Sequence, residues 1–131
     1  MKIAVGMGCD RGAPLTSVCA ALDEALQQIG ATDDAICVFA TIDKKSDEAA
    51  FLQLALLRPA PWRFYSAEEL ATVQVPNPSA TVLHYMGTPA VAEAAALLAA
   101  QTDQSHLLVE KHKYRGADGK HVTISLVRIS T

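Results

Sequence analysis

The chain has 131 residues, half of them apolar, enough for one domain whose core needs no disulfide staples. Its formal net charge of -3 excludes a general nucleic-acid binder, which carries a basic excess, and no apolar run is long enough to span a bilayer. Three cysteines, odd in number and far apart, point to reduced thiols; no C-x-x-C or H-x-x-x-H pair is present, so neither a structural zinc site nor another resident metal is expected. The first residues also lack the charged and apolar regions of a secretory signal, so the expected location is cytoplasmic.

In chain order, residues 2–6 (KIAVG) form a short β-branched run, and residues 6–12 (GMGCDRG) make a glycine-rich turn before a helix. A glycine-rich loop entering a helix presents free N–H groups and the positive end of the helix dipole, which suits an anion. The alternative is that the glycines only let a tight strand-to-helix turn form. The spacing G-x-G-x-x-x-G is neither a dinucleotide fingerprint nor a Walker loop. The helix runs from Pro14 to Ile29 with Leu15, Val18, Cys19, Leu22, Leu26 and Ile29 on one stripe, and Gly30 ends it. Residues 35–42 (AICVFATI) are apolar on both faces, as a central parallel strand is, and complete a βαβ unit.

Residues 43–48 (DKKSDE) follow that strand, with Ser46 or Asp47 placed to cap a helix that buries Phe51, Leu52, Leu54, Ala55 and Leu56. Residues 58–61 (RPAP) stop it, Trp62 to Tyr65 alternate as a third strand, and Ser66 with Glu69 reads as a capping box. Asn77-Pro78 starts a helix that ends at Gly87, and Thr88-Pro89 starts an alanine-rich one that packs on the sheet or on the first helix. Two further strands, Leu107 to Lys113 and Val122 to Ile129, are joined by a turn containing Asp118-Gly119. The expected fold is α/β: a single-domain three-layer sandwich with a mixed sheet, parallel βαβ strands and a C-terminal antiparallel hairpin.

Three groups of residues suit chemistry. Cys9, beside Arg11 and close to a helix N-terminus, is expected to have a lowered pKa and to act as a nucleophile, or else to be a small side chain in a tight turn. Asp43, Lys45 and Glu48 lie where open α/β sheets bind ligands and can do acid–base work, or can form a solvated charged cap. Lys111 and Lys113 share one face of a strand, with His112 on the other; they can grip two carboxylates or simply blunt a sheet edge. Gly87-Thr88 is a second candidate anion site, or a plain turn between helices. The remaining histidines, 84, 106 and 121, read as structural or solvent-facing.

Four stretches, in order over nearly the whole chain, closely resemble the C-terminal domain of the cobalamin-biosynthesis CobE/CbiG family: residues 6–12 (GMGCDRG), 40–48 (ATIDKKSDE), 75–79 (VPNPS) and 86–97 (MGTPAVAEAAAL). Residues 1–131 then make one domain of that type, and the two terminal strands are similar to its end. The resemblance implies a part in building the corrin ring of vitamin B12. It is nearest the stand-alone CobE type of the oxygen-dependent route, whereas the longer CbiG type is linked to opening a precorrin lactone. The implied ligand is a polycarboxylate tetrapyrrole intermediate, with other corrin-pathway enzymes as further partners and no cofactor of the protein's own. Motif positions that become site positions are Cys9, Asp43, Lys45 and Glu48 for catalysis, and Gly6, Gly8, Arg11, Gly12, Thr41, Gly87, Thr88, Lys111 and Lys113 for ligand binding. The chain departs from the family at Ala13, where a Thr commonly caps the helix, and in its longer, more charged turn at residues 114–120. Carrier, precorrin lactone hydrolase and non-catalytic accessory domain all remain open.

Overall fold

In the computed structural model, which describes residues 1–75 and 91–130, the apolar runs become five strands: Ile3–Cys9 (β1), Ile36–Ile42 (β2), Trp62–Tyr65 (β3), Leu107–Arg115 (β4) and His121–Arg128 (β5). The described helices are Leu15–Gln28 (α1), Ala49–Leu57 (α2), Ala67–Ala71 (α3) and Val91–Ala100 (α4). The strands make one sheet in the order β3-β2-β1-β5-β4. β1 runs parallel to β2, and β2 to β3, while β5 lies antiparallel to both β1 and β4. This is the mixed sheet expected, with parallel strands at its centre and the hairpin at one edge.

Period-two alternation along β1 sorts the core into two layers. Ile3, Val5 and Met7 face α1 and α2, where Val18, Leu22, Leu26, Phe51 and Leu54 are buried. Ala4 joins the opposite layer with Val38, Ala40, Ile42, Leu70 and the alanines of α4. α4 lies over β1, β2 and β5. Its small side chains allow an unusually close approach. A Cβ added to Gly6 would stand 1.8 Å from the Ala92 carbonyl oxygen, so only glycine fits there.

Local signals place most elements. Ser66 accepts from the Glu69 N–H while the Glu69 carboxylate accepts from the Ser66 N–H, the reciprocal capping box that opens α3. Gly119 takes φ +83° in the hairpin turn, a conformation costly for a residue with a Cβ. Two register shifts, between Leu107 and Val109 and between Val109 and His112, bend β4.

Four expectations are corrected. β1 extends through Cys9, so Gly6 and Gly8 sit in the strand and the turn proper is Asp10 to Gly12. The N-cap of α2 is Glu48 rather than Ser46 or Asp47, because Asp43–Lys45 form a 3-10 turn that Ser46 closes. The outward face of α2 is not buried: Leu52 is 53% exposed and Leu56 89%, and Ala55 is exposed as well. A helix apolar on every side gives no periodic signal of which side faces the core. The fourth concerns Cys9 and is taken up with the site. The helix expected from Asn77 to Met86, and the candidate positions Gly87 and Thr88, lie outside the described residues.

Candidate functional site

Three connections meet beyond the carboxyl ends of the parallel strands: the β1–α1 turn, the β2–α2 loop and the β4–β5 turn. Backbone pairing makes the first and third inseparable. The Asp10 N–H donates to the His121 carbonyl at 2.9 Å, and the His121 N–H donates to Asp10 Oδ2 at 2.8 Å. His121 Nδ1 also reaches Asp10 Oδ2 at 3.1 Å. Burial opposes ionisation of Asp10, but these bonds from His121, with Lys45 nearby, hold its carboxyl below the usual carboxylate range. This Asp–His pair escaped the sequence reading because 111 residues separate its members. A Cβ on Gly12, whose φ is +84°, would lie 3.7 Å from Lys120 Nζ, so the charged hairpin turn folds onto the glycine turn.

The second connection supplies an anion from within the chain. Glu48 is buried, and its Oε2 accepts the Gly12 N–H at 3.2 Å. Its Oε1 lies 3.3 Å from Arg11 Nη1 and 3.8 Å from Lys45 Nζ. Arg11 is committed further, donating from Nη1 to Asp47 Oδ1 at 2.9 Å and from Nη2 to the Lys44 carbonyl at 2.8 Å. The glycine turn does attract negative charge, as its backbone predicts, but the charge it holds is the Glu48 carboxylate. Arg11 and Glu48 therefore act as a strap between two loops. Asp43 stands exposed at the start of the 3-10 turn, while Lys45 is mostly buried beside Glu48.

The expectation of a low-pKa Cys9 is overturned. Cys9 ends β1 instead of opening a helix, and burial pushes its thiol up to about 11. Lys45 and Arg11 pull the other way, but Glu48 and Asp10 add to the rise. At neutral pH the group is a thiol and a poor nucleophile.

The remaining site positions divide by what surrounds them. Thr41 is fully buried and donates its hydroxyl to the Met7 carbonyl at 2.7 Å, tying β2 to β1. Gly6 is covered by α4. Gly8 differs from Gly6: a Cβ there would meet no described atom within 4 Å. Gly8 pairs with Thr123, and Thr123 with Lys113, so a row at the carboxyl end of β1 runs from a half-buried glycine to an exposed lysine. Lys111 lies on the same side of β4 as Lys113, with its Nζ 3.3 Å from Oε1 of Glu93 on α4. His112 points to the other face, 2.7 Å from both Glu24 and Gln28 of α1.

Glu93 was not singled out from the sequence, although it is the one charged residue between Ala90 and Thr102. It is fully buried, and burial raises its pKa against the pull of Lys111. Among the described residues no group of three or more His, Cys, Asp or Glu side chains is arranged to hold a metal ion, and no helix is long and apolar enough to cross a membrane.

Residues 3–127 match the family model described as Cobalamin synthesis G C-terminus. The chain is 33% identical over 111 residues to Protein CobE of Sinorhizobium sp, spanning 83% of this chain and 71% of the relative. It is 30% identical over 127 residues to a cobalt-precorrin-5A hydrolase of Priestia megaterium, covering 97% of this chain but about a third (32%) of that longer protein. Among solved structures it is similar to CobE, a protein from the cobalamin (vitamin B12) biosynthetic pathway, with TM-score 0.78 and 30% identity over 99% of this chain and 93% of that one. It is also similar to the cobalamin biosynthesis protein chiG of Agrobacterium tumefaciens, with TM-score 0.67 and 26% identity over 98% and 99% of the two chains. With the βαβ core, the hairpin and these matches together, the chain belongs to the CobE/CbiG family and is a protein of the cobalamin biosynthesis pathway.

Proposed function

We propose that the chain binds a polycarboxylate corrin-ring intermediate across the row Gly8–Thr123–Lys113, and acts as its carrier. The observation that carries this is that no described residue stands over Gly8, next to a strand that presents Lys113 on the same face. A flat macrocycle can approach a glycine backbone closely, while its peripheral acetate and propionate groups suit an ammonium at the rim. Arg11 and Lys45 contribute less than the sequence implied, since both already face Glu48.

Carriage is favoured over precorrin lactone hydrolysis because the expected nucleophile, Cys9, is held protonated, and Glu48 is committed to Gly12 and Arg11. The test is a visible-absorbance titration with a metal-free corrin polyacid and with a cobalt-containing one. Saturable binding is expected for the wild type. Gly8→Val, which fills the space over Gly8 that no described residue occupies, and Lys113→Ala, which removes the rim charge, should each weaken it at least tenfold, about 1.4 kcal/mol. Mass analysis of the recovered ligand should show it unchanged. Binding equal in both variants would sink this site, and a ligand that gains the mass of water would favour the hydrolase.

A further inference from the structure

α2 and β3 together leave an apolar edge that the rest of the described chain does not cover. Eight of the nine residues of α2 are apolar, the ninth being Gln53, and none is charged. Ala50, Phe51 and Leu54 face the core, whereas Leu52 and Leu56, one turn apart, point outward and Leu57 is 56% exposed. β3 is the edge strand, and Phe64, 41% exposed, stands on the same face as Trp62, whose ring lies 5.2 Å from that of Phe51. The exposed apolar side chains of α2 and Phe64 amount to about 500 Å², at the upper end of what a monomer leaves in one patch. Two copies of such a patch with a polar rim reach the roughly 1,200–2,000 Å² of a stable interface.

We propose that this edge is the seam of a two-fold homodimer, with β3 pairing to β3 of a second copy and α2 packing on α2. The geometry of the layers supports a second copy as the occupant. A two-fold axis normal to the sheet sets the edge strands antiparallel and keeps both α2 helices on one face. With Phe51 of α2 against Trp62 of β3, itself stacked on Phe39 of β2, a copy of α2 across the seam lies up to two strand spacings away, about 10 Å, which is the distance at which helices pack. Absence of charge on α2 lets the face meet itself without repulsion. β3 also selects a register. Residues directly opposite in an antiparallel pair share a face, so the axis passes between two copies of the same residue. Centring it on Arg63 opposes two like charges, whereas centring it on Phe64 stacks the two phenyl rings and sets each Arg63 over the second copy's Tyr65.

The experiment is light scattering on the full chain over a range of concentrations. The wild type should run at twice the chain mass of 13.9 kDa, and Leu52→Glu and Leu56→Glu should run at 13.9 kDa with an unchanged circular dichroism spectrum. Both sites are exposed, so neither substitution should unfold the chain. In a background with Cys9, Cys19 and Cys37 replaced by serine, Phe64→Cys should form a disulfide-linked dimer on mild oxidation, because opposed strand residues stand within disulfide reach. A wild type that is monomeric up to ~100 µM overturns the proposal and leaves the face to a different protein. So does a dimer that survives both glutamate variants, or cross-linking at Arg63→Cys in preference to Phe64→Cys.

Discussion

Replacing Glu48 by alanine tests the strap that joins the two loops of the site. The carboxylate is 3% exposed, accepts the Gly12 N–H at 3.2 Å, and lies 3.3 Å from Arg11 and 3.8 Å from Lys45. A buried N–H to carboxylate bond contributes about 1.5–3 kcal/mol, and removing the acceptor leaves the donor unsatisfied. Lys45, mostly buried, loses its counter-charge at the same time, whereas exposed Arg11 keeps Asp47 and water and adds little. The expected loss for Glu48→Ala is therefore about 3 kcal/mol, a fall of roughly 10 °C in melting temperature for a domain of this size. Glu48→Gln keeps an oxygen for Gly12 and gives up only the charge, for about 1 kcal/mol. Asp47→Asn, at an exposed position, should leave the melting temperature unchanged. Urea and thermal unfolding of the three variants measure the series. If alanine and glutamine destabilise equally, or alanine costs less than about 0.5 kcal/mol, Glu48 is not the anion that organises this turn.

Three further outcomes follow from the geometry. Gly6→Ala should cost more than about 3 kcal/mol or abolish soluble expression, because its Cβ collides with the Ala92 backbone, while Gly8→Ala should fold normally. Denaturant unfolding of both decides, and a stable Gly6→Ala would mean that α4 can move off β1. In a Cys19→Ser, Cys37→Ser background, Cys9 should react slowly with a maleimide at neutral pH and faster as pH rises toward its pKa of about 11. A rate plateau already reached near neutrality would contradict the burial argument.

The last concerns Glu93, whose folded pKa is raised above 4.5, mainly by burial. Relative to the unfolded chain the folded state then holds the proton more tightly, so this contribution to stability is present in acid and is lost as pH rises from 4.5 through the raised value. Unfolding compared at about pH 5 and about pH 8 should show that loss in the wild type and not in Glu93→Gln. Equal pH dependence in the two would mean that Lys111 fully offsets the burial.

The elements themselves are local, and the sequence by itself determined them: the stripe of α1, the two-sided apolar run of β2, the Ser66–Glu69 box and the Asp118-Gly119 turn each depend on neighbours within a few residues. Family membership was legible for a related reason, since four short stretches keep their order and spacing. What the tertiary structure alone decided is non-local. The glycine turn attracts an anion by its backbone, but that the anion is Glu48, 36 residues away, depends on how the two loops meet. Gly6 and Gly8 look alike in sequence; α4 covers one, while no described residue covers the other. The chain neighbours of Cys9 suit either a thiolate or a small side chain in a tight turn, whereas its ionisation follows from the side chains and carboxylates that folding brings around it. For α2, apolar on every side, only the layering of the sheet selects the face that enters the core, and it leaves Leu52 and Leu56 outside.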